Sequence, residues 1–357
     1  MFGSASFLAH LSIVKNNKKY AFLAILIPTL VGGFRYMVGI DYLSYVKKLQ
    51  FLAEKDFFTY VTSSLINIFE PTFYFMSHLT LATSDQAIIF FSITSALIAL
   101  FYYLAARRYS LRHVGLMFFM MLTTVFPRDL NGVRQGIAVA ISFYAISFIS
   151  EGRKWKFIVL VLMASLFHYS AIIILIAYPL YWIFYEKWPF IKDNNYLAKI
   201  VGLSGFGYFF VMLLIKNLAR IPFLGRYAYL ISPKMLAATG SPNIIAKIVP
   251  ILLVLPVYPK LVQQDKNNAY YMLLSVFAAL LTSLGTLIGF IYRIANYFAP
   301  FYAILFINTI DVFDDKRKAK LMKLFIVVYA VTFFVGSNLV RNSNGIFPYR
   351  FIFMGLL

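Results

Sequence analysis

The chain has 357 residues, 61% of them hydrophobic, 19% aromatic and only 13% charged, with mean hydropathy +0.78 and formal net charge +20. Soluble chains run near half apolar and about a quarter charged, so this composition excludes a soluble enzyme and points to an all-α polytopic membrane protein. With no cysteine, disulfides, Fe–S clusters and thiolate zinc sites are excluded as well.

In a soluble protein such a positive charge would suggest nucleic acid. Here basic loops that anchor a membrane protein on its cytoplasmic side explain part of it, and no nucleic-acid partner is expected. Apolar runs approaching the roughly 20 residues needed to cross hydrocarbon place the spans, and Lys/Arg in short loops orients them. A short run at 2–14 comes first, and Lys15, Lys18 and Lys19 are cytoplasmic, so 20–34 runs outward. Residues 41–82 stay outside. There Leu43, Val46, Leu49 and Leu52 recur every three residues among lysines, which predicts an interfacial helix. Residues 65–82 are apolar enough to dip into the bilayer, with Pro71 starting or kinking that helix.

Residues 86–106 return to a cytoplasmic loop holding Arg107, Arg108 and Arg112; 114–126 goes out and 132–150 comes back. Residues 157–184 are too long for one untilted span and are interrupted by His168, which predicts two short arms hinged at the outer face. Then 196–215 goes out, 216–243 is an outer loop, 244–258 returns, 270–291 goes out, and 297–310 comes back after a hairpin capped by Arg293. Residues 311–323 are inside and 324–336 leave the C-terminal tail outside. The expectation is one integral-membrane unit over 1–357, with roughly 10–12 transmembrane helices, an outer-face interfacial or re-entrant segment at 41–82 and an outer-face loop at 216–243.

Sorted by side, Arg107, Arg108, Arg112, Arg153 and Arg317 are cytoplasmic, whereas Arg35, Arg128, Arg134, Arg220, Arg226, Arg293, Arg341 and Arg350 lie outside or at outer ends of spans. The positive-inside rule disfavours that second set. Each arginine alone could snorkel to lipid headgroups, but the set predicts an anion site at the outer leaflet, because arginine grips phosphate with a planar fork of donors.

Residues 34–45 read FRYMVGIDYLSY, and Arg35, Val38, Gly39, Asp41, Tyr42 and Tyr45 resemble the R-x-x-V-G-x-D-Y-x-x-Y signature of EpsG-like, Wzy-type polysaccharide polymerases. Glu70-Pro71-x-Phe73, Arg134-x-Gly136-x-Ala138, Phe167-His168-x-Ser170-Ala171, Tyr292-Arg293 and Phe347-Pro348-Tyr349 follow in that family's order over residues 30–350. The chain departs from the pattern in a short first helix and in Ile40, where the family often has a small or hydroxylated residue. The resemblance implies a GT-C-like glycosyltransferase architecture in the bacterial inner membrane, active on the periplasmic side. It implies donor and acceptor repeat units both carried on undecaprenyl diphosphate in membrane lipid, and a chain-length regulator protein as partner.

Diphosphate is already a good leaving group, so cationic charge at the departing oxygen is what the reaction needs. No DxD pair lies on the outer face, since Asp314-Asp315 sits in a basic cytoplasmic loop; neither metal nor cofactor is expected. Arg35, Arg128, Arg134, Arg220 and Arg226 are the candidate diphosphate contacts, with Arg293 at the catalytic centre. His168 is the candidate base by type, its alternative being a hydrogen bond at the hinge. Asp41 is either a second base or the partner of Arg35 in a salt bridge. Glu70 lies at a helix start, where a negative charge is favoured, and with Tyr42, Tyr45, Tyr292 and Tyr349 it is a candidate glycan or lipid contact. The rival readings are a lipid-linked glycan ligase, with the same chemistry and another acceptor, and a flippase or transporter of the same lipid-linked oligosaccharide.

Overall fold

Apolar runs punctuated by glycine, proline and basic turns fold as helices. The computed structural model describes residues 1–62, 70–81, 86–183, 209, 245–285 and 291–355; these are helical apart from turns, short connections and one isolated antiparallel bridge, Arg35 to Phe351. The chain forms two units, 1–174 with 320–357, and 175–319.

The first unit holds α1 (Phe2–Val14), α2 (Lys18–Gly33), α3 (Tyr42–Ala53), α4 (Phe57–Thr62), α5 (Pro71–Leu81), α6 (Gln86–Tyr109), α7 (Val114–Thr124), α8 (Phe126–Asn131), α9 (Val133–Ile146) and α10 (Lys154–Phe167), followed by a 3-10 stretch, Tyr169–Ile176. Asn17 starts α2, its side-chain oxygen accepting the Lys19 N–H at 2.9 Å. Where α2 meets α6, Gly32 and Gly33 face Ser95 and Ser92 so closely that a Cβ on Gly33 would lie 2.9 Å from the Ser92 Cβ. Small residues allow that approach of two apolar helices. Helix α9 packs on both α6 and α10, and buries Ile137, Ala138, Val139, Ala140 and Ile141 all round. It is the centre of this unit.

The second unit holds α11 (Ala177–Tyr181), α12 (Ile245–Val254), α13 (Tyr258–Gln264), α14 (Asn267–Leu284), α15 (Ile291–Phe298) and α16 (Phe301–Asn308). Buried Asn268 ties three helices: it donates to the Leu261 carbonyl at 2.8 Å and accepts from Asn308 at 2.7 Å. Helix α17 (Lys316–Phe334), continued by a π turn over Val335–Val340, leads from this unit back into the first.

Among the described residues two helices are long and apolar enough to cross a membrane, Ala87–Tyr109 and Lys316–Val340. Leu321, Leu324, Phe325, Val328 and Val331 stand exposed along the second, as do Trp155, Val159, Leu162 and Leu166 along α10. Such apolar surfaces accord with membrane association.

Several expectations from sequence change in detail. The buried face of α3 is Tyr42, Tyr45, Leu49 and Leu52, while Leu43 is exposed. At roughly 100° per residue, positions nine apart lie on opposite faces, so the three-residue spacing could not keep Leu43 and Leu52 together. In the run expected to return at 244–258, the helix from Ile245 gives way to a 3-10 turn at Leu255–Val257, and a further helix follows from Tyr258 to Gln264. Arg293 lies within α15, not at a hairpin tip. The break expected at His168 is present: α10 ends at Phe167 and His168 is extended, with φ −156° and ψ 114°. The span expected at 196–215, apart from residue 209, and the loop at 216–243, with Arg220 and Arg226, lie outside the described residues.

Candidate functional site

Pro71 opens α5; it has no N–H to satisfy there and fixes the backbone for a helix. The Glu70 carbonyl accepts the Phe73 N–H at 2.9 Å, which sets Glu70 at the helix entrance, and the residue is 2% exposed. Two donors distant in sequence converge on that carboxylate. Arg134, in the first turn of α9, donates through Nη1 to Oε2, and His168 Nδ1 lies 2.6 Å from Oε1. The Thr72 hydroxyl donates to the Leu166 carbonyl at 2.6 Å, tying the start of α5 to the end of α10. Arg134 also lies close to the hydroxyl of Tyr45 on α3 and 5.4 Å from the Phe73 ring centroid. Three elements therefore place two groups, Arg134 and His168, on one buried oxygen pair, and α3 sets Tyr45 beside Arg134.

Burial pushes the Glu70 carboxyl up, but the His168 hydrogen bond and the Arg134 charge outweigh it and hold it below its ordinary value of 4.5. A carboxylate only accepts, so the imidazole carries its proton on Nδ1 and, when neutral, leaves Nε2 as a lone-pair acceptor. The arrangement can take a proton from a hydroxyl and offer positive charge beside it.

A second set of contacts supports the first. Arg35 is buried; it donates to the Leu130 carbonyl and lies 4.2 Å from the Phe91 ring centroid. Six residues on, the Asp41 N–H donates to the Asn131 side chain at 2.9 Å. The loop between α2 and α3 is thereby docked on Leu130-Asn131, directly before the helix that carries Arg134. The C-terminal tail closes over the same loop: Tyr36, Gly39 and Ile40 N–H groups donate to the carbonyls of Arg350, Gly345 and Asn344. Gly39 sits at φ +99°, in the left-handed region that glycine tolerates.

The residues singled out from sequence thus take different places. Glu70, Arg134, His168 and Tyr45 come together. Asp41 is exposed and, among the described residues, makes no ion pair with Arg35. Arg128 donates through Nε and Nη2 to Asp129 of the same helix, whose carboxylate also accepts the Tyr102 hydroxyl. Tyr42 is buried and stacked on Phe91 with centroids 4.8 Å apart, and the Tyr349 hydroxyl donates to the Val31 carbonyl. Tyr292 and Arg293 belong to the second unit, where the Tyr292 Cβ would lie 2.6 Å from a Cβ added at Gly285, and Arg293 is exposed.

Sequence reasoning missed Lys48, Tyr60 and Tyr169. Lys48 lies one turn beyond Tyr45 on α3; burial and then the neighbouring Arg134 push its ammonium down, while Asp41 opposes them. The spacing of Asp41, Tyr45 and Lys48 along one face of a helix was the available signal. Tyr60 and Tyr169 gave none, since nothing distinguishes them in sequence from interfacial aromatics. Among the described residues no group of three or more His, Asp or Glu could hold a metal ion.

No curated protein and no solved structure matches the chain. The model of the EpsG family matches residues 18–351, nearly the whole length, and the chain belongs to that family.

Proposed function

We propose that this protein is a polysaccharide polymerase that joins undecaprenyl-diphosphate-linked oligosaccharide repeat units at the periplasmic face of the bacterial inner membrane, as a multi-pass protein. EpsG-family membership implicates Wzy-type polymerase or glycosyltransferase activity. The observation that carries the mechanism is the Glu70 carboxylate shared by Arg134 and His168.

In the proposed step the acceptor hydroxyl gives its proton to His168 Nε2 as its oxygen attacks the anomeric carbon of the donor. The bond from that carbon to the diphosphate oxygen breaks, and diphosphate leaves with the electron pair. Glu70 holds the imidazole in the accepting tautomer and stabilises the imidazolium that forms. Arg134, held by Glu70, supplies fixed positive charge where the leaving group becomes more negative. The leaving group needs no general acid, and the step as written uses no metal.

The test is the purified protein in detergent, given undecaprenyl-diphosphate repeat unit from its own cell in the presence of EDTA. A glycan ladder from wild type, lost in His168→Ala and in Arg134→Ala while both remain folded, is expected. Arg293→Ala in the same assay tests the catalytic role read from sequence for that residue. Absence of any ladder from wild type would overturn the polymerase reading in favour of a ligase or transporter.

A further inference from the structure

The wall beside His168 is aromatic, and nothing in the reaction as written uses it. Tyr169, the next residue in the chain, begins the 3-10 stretch and is 48% exposed. The Tyr60 hydroxyl on α4 lies near the Tyr169 hydroxyl, and Glu70 is close enough to act on the same phenol. Tyr60 itself is buried at 5% exposure and stacked on Tyr74, with ring centroids 4.4 Å apart and planes 24° from parallel. Tyr74 is anchored in turn, its hydroxyl donating to the Lys55 carbonyl at 3.1 Å. Phe57 lies 6.3 Å from the Tyr60 ring and is exposed.

Tyr60, Tyr74 and the Lys55 carbonyl are thus fixed against one another, close to the half-exposed tyrosine that follows the candidate base. Burial, and then the neighbouring Tyr169, push the Tyr60 phenol up to about 12. It therefore keeps its proton at neutral pH. Tyr169 offers a hydroxyl and an exposed ring surface to a ligand.

We propose that Tyr169, backed by Tyr60 and Tyr74, is the subsite for the acceptor sugar ring. A sugar whose hydroxyl is in hydrogen-bond reach of His168 Nε2, about 3 Å, has Tyr169 as the nearest exposed aromatic residue along the chain. A pyranose matches the wall: its C–H face packs on an aromatic ring, and its hydroxyls meet the Tyr169 hydroxyl, an apolar body with a polar tip. A rigid, pre-oriented tyrosine gives this contact with little ordering cost. The subsite rests on His168 being the base of the proposed transfer, and it names which end of the reaction this part of the site serves.

The experiment is isothermal titration of the detergent-purified full chain with lipid-free repeat-unit oligosaccharide released from the cell's own polysaccharide, run beside the ladder assay. Tyr169→Ala is expected to weaken binding about 10-fold or more, and Tyr169→Phe, which keeps the ring, by about 3-fold. His168→Ala is expected to abolish the ladder and leave the titration within a few-fold of wild type. Because Tyr169 is half-exposed, neither of its substitutions removes a core side chain. A Tyr169→Ala titration equal to wild type, or no saccharide binding by wild type at millimolar concentration, overturns the subsite. Binding that weakens as expected in a protein that makes no ladder supports the subsite and overturns the polymerase reading instead.

Discussion

Replacing Glu70 by glutamine keeps the shape at the centre of the site and removes its charge. One side-chain oxygen remains to accept from either His168 or Arg134, and the new amide hydrogens face the other donor. At least one charge-assisted hydrogen bond is lost, worth about 1.5–3 kcal/mol. Arg134 and His168 are each about one-fifth exposed on their side chains, so water relieves part of the loss and the lower end of that range is expected. The effect on rate should be larger than the effect on stability. If the imidazole loses its fixed tautomer and orientation, a general-base contribution of about 10²–10⁴-fold is at risk. The assay is ladder formation with undecaprenyl-diphosphate repeat unit, paired with thermal unfolding in the same detergent. The pH dependence provides a second readout. Glu70 is held below its ordinary 4.5 in the fold, so its stabilising contribution is complete above that value and is lost as pH falls through the depressed one. In Glu70→Gln this part of the acid limb should disappear. A variant with wild-type rate and an unchanged acid limb would refute the shared-carboxylate mechanism.

Arg35→Met should destabilise the protein by about 2–4 kcal/mol, because it leaves the buried Leu130 carbonyl without its donor and removes the guanidinium from the Phe91 face. An effect confined to KM for the lipid diphosphate, with unfolding unchanged, would instead make Arg35 a substrate ligand. Gly136→Ala puts a Cβ 2.6 Å from the Asp129 Cβ and 3.0 Å from its backbone; a cost of about 1–3 kcal/mol, measured by thermal unfolding, is expected because backbone must move. Deleting 342–357 removes the tail's four backbone hydrogen bonds to the segment 34–40, and limited proteolysis should then cut in 34–41 where wild type resists. Activity is expected to fall with it, since the same loop docks on Leu130-Asn131 before Arg134.

Much of the site was visible as single residues. Arg134 and His168 stood out because ionisable groups at the ends of apolar helices are costly and rarely idle, and Glu70-Pro71 marked a helix entrance. Their association was not visible. Glu70 and Arg134 are 64 residues apart and Glu70 and His168 are 98 apart, and no local pattern encodes which distant donor meets a carboxylate. Arg35 and Arg128 stood out by the same token as diphosphate contacts, but one is engaged by a carbonyl and an aromatic ring and the other by Asp129.

What the sequence determined by itself is the part governed by local chemistry. Hydropathy placed α1, α2, α6 and α7 within a few residues of their observed ends, Pro71 started α5, and the step from Phe167 to His168 ended α10. Each depends on whether a residue can join a helix or enter an apolar phase, which its neighbours in the chain decide. The tertiary structure alone decided which face of α3 turned inward, and which charges were neutralised within the protein. Both are set by competition for burial: the aromatic rings of Tyr42 and Tyr45 found Phe73, Phe90 and Phe91, and a carboxylate taken out of water had to be met by whichever cations the packing brought to it.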